Sequence, residues 1–252
     1  MRNFNLEEAA RTAVREGRPV CILDELIPTG VISIKMVPPE VVQDVPERVD
    51  EIANKNWEKI WADGLFNGII CAAKSIHTSG EYIEIDLVEI DYKTFRATDL
   101  IIEGVEGYFP PLAVGVHALL LGSQSILALR LADGTLGTPG GAVDVDDFAA
   151  GEVPFVNALL REIAEEAGIQ TEQDAVKICG AYIVHNPLHL VFVYVAILED
   201  KIIASVDVDR TLEEEKIVGI QPVKINEISS LPNSIHDALG LCISSASRLG
   251  YL

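Results

Sequence analysis

The chain has 252 residues, of which 49% are hydrophobic and 23% are charged. A chain of this size and composition can bury one large core or two smaller ones without disulfides or a structural metal. Acidic residues outnumber basic residues by 39 to 19, and the formal net charge of −20 would repel nucleic acid and anionic membrane surfaces. We therefore expect neither a nucleic-acid partner nor a membrane partner. A phosphate-bearing ligand would need bound cations or a local basic patch.

The four cysteines, Cys21, Cys71, Cys179 and Cys242, lie far apart and show none of the spacings that bind zinc. We interpret them as reduced core residues of a cytoplasmic protein. The N-terminus lacks the apolar stretch of a signal peptide, so export is not expected. The longest apolar run, Leu112 to Leu121, is roughly half the length needed to cross a bilayer.

The first part of the chain has the pattern of an α+β unit. Its predicted elements are a helix over residues 6–15, strands over 19–26 and 30–36 joined by the Pro28-Thr29-Gly30 turn, a helix within 41–62 whose start is delayed by Pro46, and a hairpin of strands 68–74 and 81–90 around Ser79-Gly80. In the second hairpin strand, Ile83, Ile85 and Leu87 alternate with Glu84 and Asp86. This alternation predicts one apolar face and one polar face.

A turn-rich stretch from Glu103 to Gly107, followed by Pro110-Pro111, predicts a boundary between two domains near residue 108. The elements predicted beyond it are strands over 112–121 and 126–131, a glycine-rich loop over 134–141, a helix over 154–167 ended by Gly168, strands over 176–184 and 188–198, and a final helix over 235–249. This order of elements indicates an α/β sandwich. We therefore predict an N-terminal α+β domain over residues 1–108 and an α/β domain over residues 109–252.

The segment that carries chemistry is Arg161-Glu162-Ile163-Ala164-Glu165-Glu166-Ala167-Gly168-Ile169. On a helix, Glu162, Glu165 and Glu166 stand at positions i, i+3 and i+4, so their carboxylates project from one face. Such carboxylates repel each other unless a cation lies between them, and their oxygens suit magnesium or manganese. Taken alone, a helix of this kind is more often a solvated charged face than a metal site.

Together with Thr138-Pro139-Gly140-Gly141 and Gly151-Glu152, this helix resembles the Nudix box in the order of its residues. The resemblance to the Nudix hydrolase superfamily implies an α/β/α sandwich for the C-terminal domain. It also implies magnesium-assisted attack of water on the phosphorus of a nucleoside diphosphate linked to another group. By the same resemblance, Glu162 and Glu166 are the main metal ligands, and Glu165 is a third ligand or orients the attacking water. The structural residues of the box would be Gly141, Arg161 and Gly168.

The spacing of the box is stretched in this chain. Ten residues separate Gly141 from Glu152 and eight separate Glu152 from Arg161, which is more than in the usual box. Whether Glu152 and Arg161 form the ion pair of the family is therefore an open question in this chain. The metal-binding half of the motif is intact. The general base could come from the distal run Glu213-Glu214-Glu215, although a solvated acidic turn is the commoner reading of such a run.

Residues 57–96 resemble the N-terminal domain of the UDP-glucose diphosphatases, a Nudix branch that also carries a stretched box. The resemblance lies in Leu65-Phe66-Asn67-Gly68 and Tyr92-Lys93-Thr94-Phe95-Arg96, and it implies cleavage of UDP-glucose into UMP and glucose 1-phosphate. Tyr92 could then stack on a base, Lys93 and Arg96 could contact phosphate oxygens, and Asn67 could hydrogen-bond to a base edge or a sugar hydroxyl. Each of these residues could equally be structural.

Other functions stay open at this stage. A non-catalytic Nudix-fold sensor or regulator could bind a nucleotide in the same cleft, which the altered spacing favours, whereas the retention of three glutamates on one helix face favours an enzyme. An enzyme could instead act on ADP-ribose, a dinucleotide or coenzyme A. A homodimer could form through the strand that carries Ile32, Ile34 and Met36. The histidines show no metal-ligand spacing, His117 is interpreted as a core residue of its strand, and no nucleophilic serine motif is present.

Overall fold

The computed structural model describes residues 2–23, 32–36, 45–60, 67–79, 82–148, 154–185, 187–212, 216–231 and 236–252. Seven helices lie within these ranges: α1 (Leu6–Glu16), α2 (Glu47–Ile60), α3 (Tyr92–Arg96), α4 (Thr98–Gly104), α5 (Pro154–Ala167), α6 (Asp200–Ser205) and α7 (Asp237–Arg248). Twelve strands lie within the same ranges: β1 (Arg2–Phe4), β2 (Val20–Leu23), β3 (Ile32–Met36), β4 (Ile69–Ser79), β5 (Tyr82–Asp91), β6 (Leu112–Leu121), β7 (Ser125–Leu131), β8 (Leu136–Gly137), β9 (Gly140–Ala142), β10 (Val176–Val184), β11 (His189–Ile197) and β12 (Ile217–Lys224). The predicted mixed α/β fold class is confirmed.

The chain divides into two compact units. The first comprises Met1–Gly115, Ala142–Ala149 and Ala181–Val191, and the second comprises Val116–Gly141, Ala150–Gly180 and Phe192–Leu252. Strands β6, β10 and β11 each supply residues to both units. The domain boundary near residue 108 stays a prediction.

The first unit contains the predicted hairpin. Strands β4 and β5 are antiparallel, β3 runs parallel to β5, and β1 and the first residues of β6 pair antiparallel with β4. Ile83, Ile85 and Leu87 are buried, as their alternation predicts, while Glu84 and Asp86 are half-buried. The hairpin therefore contributes one apolar face to the core of this unit.

Strands β2 and β3 are present as predicted, but each has its own partner. Within the first unit, β2 pairs antiparallel with β10, so that Cys21 lies opposite Tyr182, whereas β3 pairs with β5. The Pro28-Thr29-Gly30 turn between them lies outside the described residues. The alternation of apolar residues thus identified the two strands without identifying their partners.

The helices of the first unit form a small apolar cluster. Helix α2 begins directly after Pro46, as predicted, and Val49 and Ala53 on its buried face pack with Ala97, Ile101 and Val105. Helices α3 and α4 were not predicted. The Asp91 side chain begins α3 by accepting a hydrogen bond from the Thr94 backbone N–H at 2.8 Å, which is a local signal that the sequence did contain.

Strand β7 of the second unit pairs antiparallel with β12, with the later residues of β6 and with β8. Helix α5 packs beside β11, with the Phe155 and Phe192 ring centroids 4.7 Å apart. Helices α5 and α7 and strands β6, β7, β10 and β11 were predicted, whereas α6 and β12 were not. The loop predicted over residues 134–141 contains the short strand β8 and the start of β9.

Some predictions fall on residues that the structure does not describe. These are Gly151-Glu152, Glu213-Glu214-Glu215, Leu65-Phe66 and the Gly80 end of the hairpin turn. Within the described ranges, none of the helices has the length and apolarity needed to cross a lipid bilayer.

Three of the four cysteines are core residues, as the sequence predicts. Cys71, Cys179 and Cys242 are buried, whereas Cys21 is half-buried, and none of the four forms a disulfide. Burial raises the pKa of Cys71 to about 12 and the pKa of Cys179 to about 11. These two thiols therefore stay protonated near neutral pH, which makes them core residues and not nucleophiles.

Candidate functional site

Helix α5 carries the three predicted carboxylates, and its sequence explains its bounds. Pro154 occupies the first helical position, where its missing N–H costs no helical hydrogen bond. At the other end, Gly168 adopts a φ of 68°, and the Ile169 N–H donates to the Ile163 carbonyl oxygen at 3.4 Å. The face that packs into the core is formed by Phe155, Ala158, Leu159 and Ile163, all buried. This packing sets the direction in which the carboxylates project.

The Thr138-Pro139-Gly140-Gly141 turn is bonded to strand β6. The Thr138 hydroxyl donates to the Ala118 carbonyl oxygen, and the Ala118 N–H donates to the Pro139 carbonyl oxygen at 2.9 Å. Gly140 approaches the strand so closely that a Cβ atom there would overlap the Val116 carbonyl oxygen. The backbone of the turn therefore has a fixed position on β6, and Gly140 is required by space.

The glutamates of α5 meet this turn. The Gly140 N–H donates to Glu166 Oε2 at 2.9 Å, and Glu166 is only 7% exposed. A Cβ atom at Gly141 would overlap Glu162 Oε1, so the Glu162 carboxylate occupies the space that this glycine leaves. Two carboxylates that stand one helical turn apart in the sequence are therefore brought against the two glycines of the box.

Arg161 contacts the same group of acids. Its Nη1 atom lies 2.6 Å from Glu162 Oε1 and 3.6 Å from Glu165 Oε2. The Glu165 side chain is 61% exposed, whereas the Glu162 side chain is 12% exposed. The cation that the sequence analysis required between repelling carboxylates is thus supplied in part by a guanidinium group of the chain itself.

The carboxylate oxygens of Glu162 and Glu166 are of the kind that magnesium prefers. Magnesium is held in proteins by one or two carboxylates, with water and substrate phosphate oxygens as its other ligands. Within the described ranges, no group of three or more histidine, cysteine, aspartate or glutamate side chains is arranged to hold a metal ion. The exposed Glu165 stays a predicted third ligand or water-orienting group.

Arg210 secures the C-terminal end of α5. Its Nη2 atom donates to the Glu165 carbonyl oxygen at 2.7 Å, and a Cβ atom at Gly168 would lie 3.1 Å from Arg210 Nη1. A cation beside the free carbonyls of a helix C-terminus also interacts favourably with the helix dipole. Sequence reasoning did not identify Arg210, because no local pattern connects it to the box.

Asn67 and Lys93, predicted to bind substrate, hold the local structure of the first unit. Asn67 Oδ1 accepts a hydrogen bond from the Lys93 backbone N–H at 2.8 Å. The Lys93 ammonium lies 3.0 Å from Asn54 Oδ1 and 3.4 Å from Asp91 Oδ2. These contacts join the start of α3 to α2 and to the residue that follows Leu65-Phe66. The contacts of Asn67 and Lys93 with substrate stay predictions.

Tyr92 and Arg96 lie on the same short helix. The Tyr92 ring makes edge contacts with Trp57 and Phe95, at centroid distances of 6.3 and 5.4 Å. The Arg96 carbonyl oxygen accepts a hydrogen bond from Asn56 Nδ2 at 2.9 Å. Both residues are half-buried. Their proposed contacts with a base and with phosphate stay predictions.

His117 is placed differently from its interpretation as a core residue. It is half-buried in the middle of β6, where the strand is otherwise buried, and a Cβ atom at Gly140 would overlap its Nδ1 atom. The His117 ring therefore lies against the same turn that Glu166 contacts. Its position depends on a turn distant in the chain, so no spacing pattern could have found it.

Comparisons with known proteins give distant structural likenesses. No protein family and no curated protein matches the chain. Among solved structures, the NUDIX domain of Shewanella oneidensis NrtR, determined in complex with ADP ribose, is 15% identical, with 60% of this chain and 97% of that domain covered at a TM-score of 0.43. A NUDIX hydrolase from Nitrosomonas europaea is 20% identical, with 54% and 89% covered at a TM-score of 0.42.

A MutT/nudix family protein from Enterococcus faecalis is 13% identical, and the match covers 50% of this chain at a TM-score of 0.36. The chain spans about half of that protein's length, 49%. TM-scores and identities of this size do not establish a common fold. These matches therefore assign neither a family nor an activity to the chain.

Proposed function

We propose that the chain is a magnesium-dependent pyrophosphohydrolase of the Nudix type, in which manganese can replace magnesium. The observation that carries the proposal is the meeting of the Gly140-Gly141 turn with the Glu162 and Glu166 carboxylates. The box resemblance associates these four residues with one another, although the turn and the helix are separated by a stretched linker. Their proximity supports the resemblance at the point where its spacing departs from the family.

In this proposal, Glu162 and Glu166 hold the cation, and the Gly140 N–H fixes the Glu166 carboxylate. When bound, a divalent cation would neutralise the diphosphate charge, make phosphorus more electrophilic and lower the pKa of water. Glu165, exposed on the same helix face, orients the attacking water, and Arg161 orients Glu162. Water attacks phosphorus, the bridging oxygen leaves with the other phosphate, and the proton released from water goes to a basic group or to solvent.

The substrate of the proposal is a nucleoside diphosphate linked to another group, with UDP-glucose as the first choice. UDP-glucose would yield UMP and glucose 1-phosphate, and residues 1–108 would supply the specificity. The support for this choice is the resemblance of residues 57–96 to the UDP-glucose diphosphatases. ADP-ribose, a dinucleotide and coenzyme A are the alternative substrates within the same reaction class.

A second candidate function is a non-catalytic nucleotide sensor. The observation that favours it is the contact of 2.6 Å between Arg161 Nη1 and Glu162 Oε1, because a guanidinium group that neutralises Glu162 makes a bound metal less necessary. A sensor would still bind a nucleotide ligand but would not release a product.

The deciding experiment measures product release from UDP-glucose, ADP-ribose, ADP-glucose, a dinucleotide and coenzyme A, with magnesium present or chelated. The wild type is compared with Glu166→Gln and with Glu172→Gln, a matched change at an exposed glutamate beyond the helix. We expect the wild type to hydrolyse one substrate in a magnesium-dependent reaction. The kcat for that substrate should fall by at least about a thousandfold in Glu166→Gln and should change by less than about twofold in Glu172→Gln.

If none of these substrates is hydrolysed with magnesium, the proposal that the chain is an enzyme is refuted. A substrate that raises the melting temperature of the chain without being hydrolysed would then support the proposal that the chain is a nucleotide sensor. Equal activity of Glu166→Gln and wild type would show that the carboxylates at the turn are not part of the catalytic site.

A further inference from the structure

The backbone carbonyl of Glu165 lies in the last turn of α5, where the helix no longer supplies a donor for it. In a continuous helix it would accept a hydrogen bond from the N–H group four residues later, that of Ile169. The Ile169 N–H instead donates to the Ile163 carbonyl oxygen at 3.4 Å, because Gly168 turns the chain with a φ of 68°. The Glu165 carbonyl oxygen is therefore one of the acceptors that a helix C-terminus leaves to side chains or water.

The side chain of Arg210 supplies the donor for this carbonyl. Its Nη2 atom donates to the Glu165 carbonyl oxygen at 2.7 Å, in a charge-assisted hydrogen bond. The guanidinium group also lies against Gly168, where a Cβ atom would be 3.1 Å from Nη1 and 3.3 Å from Cζ. The Arg210 Nε atom is buried. The guanidinium group is thus packed against the end of α5.

The segment that carries Arg210 is bonded to strand β12. Leu212 and Ile217 exchange two backbone hydrogen bonds, of 2.9 and 3.0 Å, and the Ile220 N–H donates to the Val208 carbonyl oxygen at 2.9 Å. Strand β12 in turn pairs along its length with β7. Arg210 therefore connects the end of α5 to the sheet of the second unit.

The contact acts on the peptide group that joins Glu165 to Glu166. A peptide group is planar, so a hydrogen bond to the Glu165 carbonyl oxygen also fixes the backbone N atom of Glu166. At the far end of the same residue, Glu166 Oε2 accepts a hydrogen bond from the Gly140 N–H at 2.9 Å. Glu166 is thus held at its backbone by Arg210 and at its carboxylate by the glycine turn.

From these contacts we propose that Arg210 is a positioning residue for the metal site: it holds the peptide between Glu165 and Glu166, and so keeps the Glu166 carboxylate in the direction in which it binds the divalent cation. A ligand that is oriented before binding loses less conformational entropy when the cation arrives. The inference rests on the proposed function, because that function assigns Glu166 to the metal. Arg210 itself contacts neither the cation nor the substrate in this role.

Positioning and charge predict opposite effects of Arg210 on cation binding. Removal of a positive charge near the carboxylates of α5 makes the local potential more negative, which should strengthen the binding of a divalent cation. Loss of the orientation of Glu166 should weaken that binding. If Arg210 only stabilises the fold, its removal should not weaken cation binding as long as the chain stays folded.

The test measures the Kd of the full chain for manganese(II) alone, from the electron paramagnetic resonance signal of the free ion, so it needs neither substrate nor turnover. We expect the Kd to rise at least about tenfold in Arg210→Met at a temperature where this variant is folded. Arg210→Lys keeps the charge and a donor, and its Kd should lie within about threefold of the wild-type value.

The matched control is Arg130→Met. It removes the same charge from the same unit, and with it a contact of 3.4 Å between a guanidinium nitrogen and a backbone carbonyl oxygen, that of Val218. The Kd for manganese(II) should change by less than about twofold in this control. An equal rise of the Kd in Arg130→Met and Arg210→Met would overturn the positioning role, because the effect would then not depend on the contact with α5.

Two further variants complete the test. If Arg210→Met does not fold, Arg210→Gln replaces it, because its amide donor lies two bonds nearer to the backbone, and the Kd should then rise at least about fivefold. Glu166→Gln should weaken manganese(II) binding more than either. If Glu166→Gln weakens binding and the folded Arg210 variant binds as tightly as the wild type or more tightly, the positioning role is overturned and the metal site remains. If Glu166→Gln binds manganese(II) like the wild type, or the wild type does not bind it, the proposed metal site is refuted and the role of Arg210 with it.

Discussion

The carboxylates of α5 and the predicted substrate residues of the first unit show two different outcomes of sequence reasoning. Glu162 and Glu166 project from one helix face and meet a glycine turn that the sequence also singled out. Asn67 and Lys93 also meet, through a side chain that accepts a hydrogen bond from a backbone N–H. In the first region, two carboxylates of one helix face contact the glycines of a turn, whereas in the second region the contact closes the start of a helix.

The difference follows from what each motif constrains. Helical spacing of i and i+4 fixes the relative directions of two side chains, so a prediction of convergence needs only the helix. A short motif in a connecting segment fixes no such direction, and asparagine and aspartate there commonly hydrogen-bond to the backbone. The four predictions below test this contrast, beginning with the largest expected effect.

Gly140→Ala should cause the largest loss of stability. Its Cβ atom would overlap the Val116 carbonyl oxygen, which belongs to the backbone of β6 and cannot rotate away. We expect the free energy of unfolding to fall by about 3 kcal/mol, measured by urea denaturation. The control is Gly134→Ala, where φ is 86° and no atom lies within 4 Å of the Cβ position.

For Gly134→Ala, backbone strain alone should cost about 1 kcal/mol. Equal losses in the two variants would show that the turn can move away from β6. The conclusion that the turn has a fixed position on β6 would then be wrong. The contact between the turn and Glu166 depends on that position.

Arg210→Met should cost about 1.5 kcal/mol of unfolding free energy, because it removes the hydrogen bond to the Glu165 carbonyl oxygen and a cation at the C-terminus of α5. Thermal and urea unfolding measure this loss. Arg210→Lys keeps the charge and should recover part of the stability. A variant Arg210→Met as stable as the wild type would show that packing of the apolar face alone positions the helix.

Asn67→Ala should cost about 1 kcal/mol, because the Lys93 N–H loses its acceptor. Asn67→Asp keeps the acceptor and is the matched control. If Asn67 has only this structural role, KM for the substrate found in the product-release assay should change by less than about twofold in both variants. A KM raised at least about tenfold in Asn67→Asp with unchanged stability would restore its predicted contact with substrate.

The sequence predicted those elements whose residues have strong periodicity. Strand β6 and helix α5 have the predicted bounds because an apolar run and an amphipathic repeat define them. Strand β12 was missed because Gly219 and Pro222 interrupt its pattern, and β12 accommodates them with a shift in its register near Gly219. The contacts of His117 and Arg210 with the site could not be predicted, since both depend on tertiary structure that joins distant segments.

The smallest expected effect concerns the cation between the carboxylates. In Arg161→Gln, Glu162 loses the guanidinium group that lies 2.6 Å away. When a chelator removes magnesium, the carboxylates of α5 should therefore repel each other more strongly in this variant than in the wild type. We expect magnesium to raise the unfolding free energy of this variant by about 0.5–1 kcal/mol more than that of the wild type. The measurement is thermal unfolding with magnesium and with chelator, and Lys177→Gln, which removes an exposed cation of β10, is the control. Magnesium could instead stabilise Arg161→Gln no more than it stabilises the wild type and Lys177→Gln. That result would show that Arg161 and the metal do not share Glu162. The guanidinium group would then stay at the site whether or not the metal is bound, and would not substitute for the metal.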